Sequence, residues 1–113
     1  MTLTGVVVRG DGLGAKLGFP TANVAYEGPA PERGVWEVSV EGFGHAVCNV
    51  GVRPTVTDAG RVIVEVHIPR WSGDLYGKKL SVVFLRKLRD EKKFSSVDEL
   101  KAQIARDVAS LTS

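Results

Sequence analysis

Across residues 4–88 every apolar run is short, rich in β-branched residues and closed off by glycine or proline. A chain so punctuated buries its apolar side chains in a sheet. Residues 5–9, Gly-Val-Val-Val-Arg, form a compact β-branched run, and residues 35–40 alternate with period two, placing Trp36, Val38 and Val40 on one apolar face. Residues 46–50 follow Gly42-Phe43-Gly44, a loop of hairpin length, and stop at Gly51 and Pro54. Residues 61–68 make the clearest strand; residues 80–85 make the last, introduced by a turn over residues 73–77. The proline-rich stretch 26–34 joins strands rather than domains, as a loop that carries function or as a plain connection. Five or six antiparallel strands left open would expose two edges, and closure removes them, so the expected fold is mainly β, a closed or nearly closed barrel.

Beyond Phe94 the period changes. Ser96-Val97-Asp98-Glu99 fits a capping box, and Val97, Leu100, Ile104, Val108 and Leu111 recur at three- and four-residue steps. That is an amphipathic helix lying on the barrel, with Lys101, Gln103, Arg106 and Asp107 expected largely toward water. The 113 residues, 43% hydrophobic and 25% charged, suit one domain spanning residues 1–113. No apolar run approaches the roughly 18 residues of a spanning helix, and the start lacks a signal peptide's basic-then-apolar order, so a cytoplasmic protein is expected. A single cysteine, Cys48, cannot form an internal disulfide, and with two histidines, His45 and His67, no zinc cluster assembles. A net charge of +2 is too slight to argue for nucleic acid. Arg86, Lys87, Arg89, Lys92 and Lys93 gather where the last strand meets the helix, as a solvated turn or as a cluster steering an anionic substrate.

The most specific stretch is residues 17–23, Leu-Gly-Phe-Pro-Thr-Ala-Asn, preceded by Gly10-Asp11-Gly12-Leu13-Gly14-Ala15-Lys16. Exposed N–H groups of a glycine-alternating run can wrap a phosphate chain. Mg²⁺ takes oxygen ligands and uses only one or two protein groups beside substrate phosphates; Thr21 and Asn23 supply such oxygens and, being neutral, leave the ion's charge to the phosphates. Pro20 stiffens the approach and favours an extended chain in which Thr21 and Asn23 point to one side. Taken alone, the same residues equally describe a surface turn. Farther on, the alternating strand sets Val62, Val64, Val66 and Ile68 on one face and Ile63, Glu65 and His67 on the other. A carboxylate flanked by valines suits a general base near neutral pH if its proton affinity is raised, although a glutamate on the wet face of a strand reads the same way.

The glycine run leading into Pro20-Thr21-Ala22-Asn23, followed by Val64-Glu65-Val66-His67-Ile68, Asp74-Leu75-Tyr76-Gly77 and residues 88–94, resembles the riboflavin kinase (flavokinase) family from Gly5 to about Val108. The resemblance implies a six-stranded antiparallel Greek-key-like barrel with a C-terminal helix. It also implies transfer of the γ-phosphate of ATP to the 5′-hydroxyl of riboflavin, giving FMN and ADP. By the same likeness Glu65 is the catalytic base; Gly10, Gly12, Gly14, Lys16, Thr21, Asn23 and Tyr76 meet the nucleotide; Thr21 and Asn23 hold Mg²⁺; and Arg89, Glu91 and Phe94 meet the flavin. Arg89 is also placed to close over the reacting phosphate, and residues 49–55 shape the flavin pocket. Leu13 and Ala15 depart from the family, which often carries basic residues there, with Lys16 as the substitute charge.

Two competing phosphate motifs fail. The run also satisfies G-x-G-x-x-A, but Pro20 arrives too soon for the long helix that pattern opens, and Lys16 precedes Leu17 rather than the Ser or Thr of a phosphate-binding loop. Three readings stay open at this level: a freestanding kinase, favoured by Met1 directly before the barrel; the kinase part of a split or truncated bifunctional FAD synthetase, as in the C-terminal domain of the bacterial riboflavin kinase/FMN adenylyltransferase; and a non-catalytic flavin- or nucleotide-binding barrel. The expected partners are riboflavin/FMN and ATP/ADP, with no nucleic acid and no membrane, for a monomeric chain.

Overall fold

The computed structural model describes residues 1–9, 18–52, 62–69, 71 and 73–112. Six strands, β1 (Thr2–Val8), β2 (Ala22–Tyr26), β3 (Gly34–Val40), β4 (Gly44–Val52), β5 (Val62–His67) and β6 (Lys79–Arg89), precede one helix, α1 (Val97–Ala109). The strands close into a barrel in the order β1-β2-β5-β4-β3-β6, each neighbouring pair antiparallel. β3, β4 and β5 lie side by side and β6 returns to pair with β3, which is the Greek-key arrangement.

Period-two alternation builds the core. Leu3 and Val7 of β1, Ala22 and Val24 of β2, Val38 and Val40 of β3, Ala46, Cys48 and Val50 of β4, Val64 and Val66 of β5, and Leu80 and Val82 of β6 all point inward. Cys48 packs there as a small apolar residue, and burial pushes its thiol up to about 12. Trp36 sets its ring edge-on to Phe84 at 5.5 Å.

Three expectations change. The strand missing from the sequence reading is β2, which pairs with β1 on one side and β5 on the other. Five residues between Pro20 and a proline-rich loop are too few to display a period, so pairing rather than pattern makes this strand. Second, β6 runs on to Arg89, so Arg86, Lys87 and Arg89 belong to a strand and not to a solvated turn. They are held by acids: Arg86 by Glu37, Lys87 by Glu32 and Asp90, Arg89 by Asp107. Third, Asp107 does not face water but is 5% exposed, whereas Val97 of the expected apolar stripe is 59% exposed.

The anticipated capping box of α1 forms with one shift, its return bonds going to Ser95 rather than Ser96. The Ser96 hydroxyl accepts from Glu99 N–H at 3.1 Å, and the Glu99 carboxylate reaches back to the N–H and hydroxyl of Ser95. Near its other end the chain covers a charge: Glu37, on the outward side of β3, is fully buried. Its carboxylate accepts from Arg86 Nε at 2.7 Å and from the Thr112 backbone and hydroxyl at 2.9 and 2.6 Å, with His45 Nδ1 at 2.6 Å. Burial alone would raise its proton affinity, but the bonds from Thr112, His45 and Arg86 outweigh it and hold the group at about 2. Among the described residues no helix is long and apolar enough to cross a membrane.

Candidate active site

Strand register gathers the site. Asn23 on β2 lies opposite Glu65 on β5, Glu65 opposite Asn49 on β4, Asn49 opposite Val35 on β3, and Val35 opposite Arg89 on β6. Directly opposed residues hold their Cβ atoms about 4.5–5.5 Å apart. One cross-strand row on the outward side of the barrel therefore carries an amide, a carboxylate, a second amide and a guanidinium. Val64 and Val66, which flank Glu65 in the chain, point into the core and leave Glu65 half-buried outside it.

Two cavities open beside this row. One, of about 290 Å³, is lined by Arg9, Thr21, Asn23, Asp74 and Tyr76 among others. The other, of about 330 Å³, lies between the barrel wall and α1 and is lined by Thr21, Asn49, Glu65, Arg89, Glu91 and Phe94, with Leu100 and Ile104 of the helix. Thr21 is part of both walls. Its hydroxyl donates to Glu65 Oε2 at 2.9 Å. Pro20 is fixed in turn by His67, whose Nδ1 lies 2.8 Å from the Pro20 carbonyl oxygen while its ring packs edge-on to Phe19 at 5.5 Å. His67 thus anchors the motif from the strand that carries Glu65.

The donor set suits a small hard cation. Asn23 Oδ1 is buried and has no hydrogen-bond partner among the described residues. A buried acceptor left unpaired costs about 1–3 kcal/mol, which a bound cation would recover. No cluster of three or more His, Cys, Asp or Glu side chains occurs among the described residues. Thr21 and Asn23 are the residues that would hold Mg²⁺.

The remaining expected residues divide between the cavities. Tyr76 lines the first, its N–H donating to Asp74 Oδ1 at 2.8 Å and its ring lying under the Arg9 guanidinium at 4.7 Å. Arg89, Glu91 and Phe94 line the second. Arg89 is pinned rather than mobile: Nε and Nη2 bind the two Asp107 oxygens at 3.0 and 2.8 Å, and Nη1 donates to the Asp90 carbonyl at 3.1 Å. Gln103 adds a bond to Asp107 at 3.0 Å. Gly10, Gly12, Gly14 and Lys16, with Leu13 and Ala15, lie outside the described residues, as does Arg53 to Thr55 of the flavin-pocket segment.

Sequence reasoning missed Asp107, set to water by helical periodicity alone, and Arg33, hidden in a proline-rich loop. Arg33 Nη2 and Nε donate to Glu91 Oε2 at 2.6 and 3.2 Å. The basic residue of a loop opposite an acidic turn was the available signal.

The comparisons with known proteins bear on this geometry. The profile of the flavokinase family, described as riboflavin kinase, matches residues 1–113. A bifunctional riboflavin kinase/FMN adenylyltransferase of Escherichia coli K12 is 48% identical over 110 residues, covering 93% of this chain and 35% of that protein. An RNA-binding riboflavin kinase of Bacillus subtilis is 37% identical over 110 residues, covering 95% of the chain and 48% of its own length. The crystal structure of riboflavin kinase from Trypanosoma brucei superposes with a TM-score of 0.61 at 25% identity, over 96% of this chain and 74% of that one. The chain thus spans about a third of the Escherichia coli relative and about half of the Bacillus one. With the barrel order, the Pro-Thr-Ala-Asn segment beside a strand glutamate, and a profile match over its whole length, this chain belongs to the riboflavin kinase family.

Proposed function

We propose that the chain is a riboflavin kinase, transferring the γ-phosphate of Mg-ATP to the 5′-hydroxyl of riboflavin to give FMN and ADP. The observation that carries this reading is Thr21, a wall of both cavities, donating to the carboxylate of Glu65 at their junction. Two substrates in adjoining cavities meet where a base and a metal-side pair stand together.

In this reading ATP occupies the cavity of Tyr76 and Asn23, and riboflavin the cavity under α1. Glu65 accepts the proton of the 5′-hydroxyl as that oxygen bonds to the γ-phosphorus and the bond to the bridging oxygen of ADP breaks. Thr21 orients the carboxylate through its hydrogen bond, and His67 holds the segment that presents Thr21. Bound Mg²⁺ neutralises charge on the transferring phosphoryl group. Phe94, Leu100 and Ile104 give the flavin ring an apolar wall. Arg89, fixed by Asp107, lends positive charge at the end of the row.

The chain acts in this reading as a monomer in the cytoplasm without nucleic acid. The name of the Bacillus relative includes RNA binding, but here a net charge of +2 offers little for a phosphate backbone. Incubation of the purified chain with riboflavin and Mg-ATP should yield FMN and ADP, resolved chromatographically. Should wild type and Glu65→Gln prove equally inert while riboflavin still binds, the chain is a flavin-binding barrel and not a kinase.

A further inference from the structure

Glu91 does not hang freely at the flavin-side cavity. Its Oε2 takes two bonds from the Arg33 guanidinium, and its other oxygen lies against the bare Cα of Gly51 on β4, where an added Cβ would overlap the carboxylate. Gly51 faces the same outward side as Asn49 and Val47, at a position buried beneath Glu91, and its φ is not in the left-handed region that would demand glycine. Backbone geometry therefore does not explain this glycine; the room it leaves for a carboxylate does. Arg33 is itself held in place. Its loop is tied down by Trp36 Nε1 donating to the Glu32 carbonyl at 3.0 Å and by Lys87 Nζ reaching the Glu32 carboxylate at 2.8 Å.

We propose that Arg33 and Gly51 are positioning residues for flavin recognition: the guanidinium draws the Glu91 carboxylate one way, and the missing side chain at Gly51 leaves it space to lie along the cavity rim. The proline-rich loop, otherwise a connection, then has a task. It presents a cation to an acidic residue on the wall of the cavity assigned to the flavin. This inference rests on assigning that cavity to riboflavin.

A double-mutant cycle on the full chain tests it, reading riboflavin affinity from flavin fluorescence quenching, KM for Mg-ATP from initial rates, and Tm. Arg33→Gln and Gly51→Ala should each weaken riboflavin binding about threefold to fivefold, the worth of a partly exposed charge pair. Mg-ATP KM and Tm should hardly move, because the atom in the way of a new methyl is the tip of a flexible side chain. Combined with Glu91→Ala, neither substitution should add to the loss of Glu91→Ala alone. Additive losses, or equal losses for riboflavin and Mg-ATP, overturn the proposal. If Glu91→Ala weakens riboflavin and the other two do not, positioning fails while the cavity assignment stands. If Glu91→Ala itself has no effect, the contribution of Glu91 to the flavin cavity falls, and the proposal with it. Arg33 is 57% exposed, so its variant completes the cycle even if Gly51→Ala does not fold.

Discussion

Glu37 and Glu65 occupy matching places in their strands, each facing outward between two residues that face the core, yet the barrel treats them in opposite ways. Glu37 is sealed, and donors from β4, β6 and the chain beyond α1 converge on its two oxygens. Glu65 is half-buried, takes the Thr21 hydroxyl, and lines the cavity under α1 beside Thr21, the residue that this cavity shares with the other. A carboxylate surrounded by donors at about 2 is committed to its ion pairs and has no proton-accepting role left near neutral pH. In the proposed mechanism that role falls to Glu65. The difference comes from what packs on the outside of the barrel, since the two glutamates' neighbours in the chain are alike.

Substitutions separate the two glutamates most sharply. Glu65→Gln should lower kcat by about 10²–10⁴, the usual worth of a general base, with little change in Tm. Glu37→Gln should do the reverse. Removing one partner from a buried charge network costs about 3 kcal/mol of stability, read by chemical denaturation, while the enzyme that stays folded keeps most of its turnover. A variant of Glu65 that lost stability instead of rate would erase the contrast.

Acid titration gives the same comparison without a substitution. The Glu37 carboxyl is held below its ordinary 4.5, so its contribution is present in full above that pH and is lost as pH falls toward about 2. The wild-type Tm should drop through this window, and Glu37→Gln should drop less steeply. The smallest effect concerns the metal side. Asn23→Ala should raise the KM for Mg-ATP by about tenfold and leave riboflavin affinity near wild type, as expected for loss of one neutral oxygen ligand. Equal losses on both substrates would mean that Asn23 serves the barrel rather than the ion.

Much of this was legible in the chain. Alternation disclosed β3 and β5 and the face of Glu65; Ser96 and Glu99 marked where α1 starts; and the Pro-Thr-Ala-Asn segment pointed to the family. What stayed hidden depends on partners distant in sequence. β2 exists because β1 and β5 flank it. Asp107 leaves the solvent side of its helix because Arg89 waits beneath it with a fork of donors. Glu37 looks like any outward glutamate until Thr112, 75 residues on, closes over it. Periodicity assigns faces, but it cannot tell an outward face that meets water from one that meets another part of the chain.

The short strand β2 has a consequence for how this chain can change. Ala22 and Val24 fill the core while Asn23, between them, stands in the row with Glu65, so three successive residues serve the core and that row in alternation. One residue inserted there would turn the amide inward and a methyl outward, spoiling the core and the row of Glu65 at once. Glu41 and Gly42, in the turn after β3, are exposed and stand in the kind of place where added length is tolerated. Families of this barrel should therefore vary in length at the hairpin and keep the spacing from Pro20 to Tyr26 fixed.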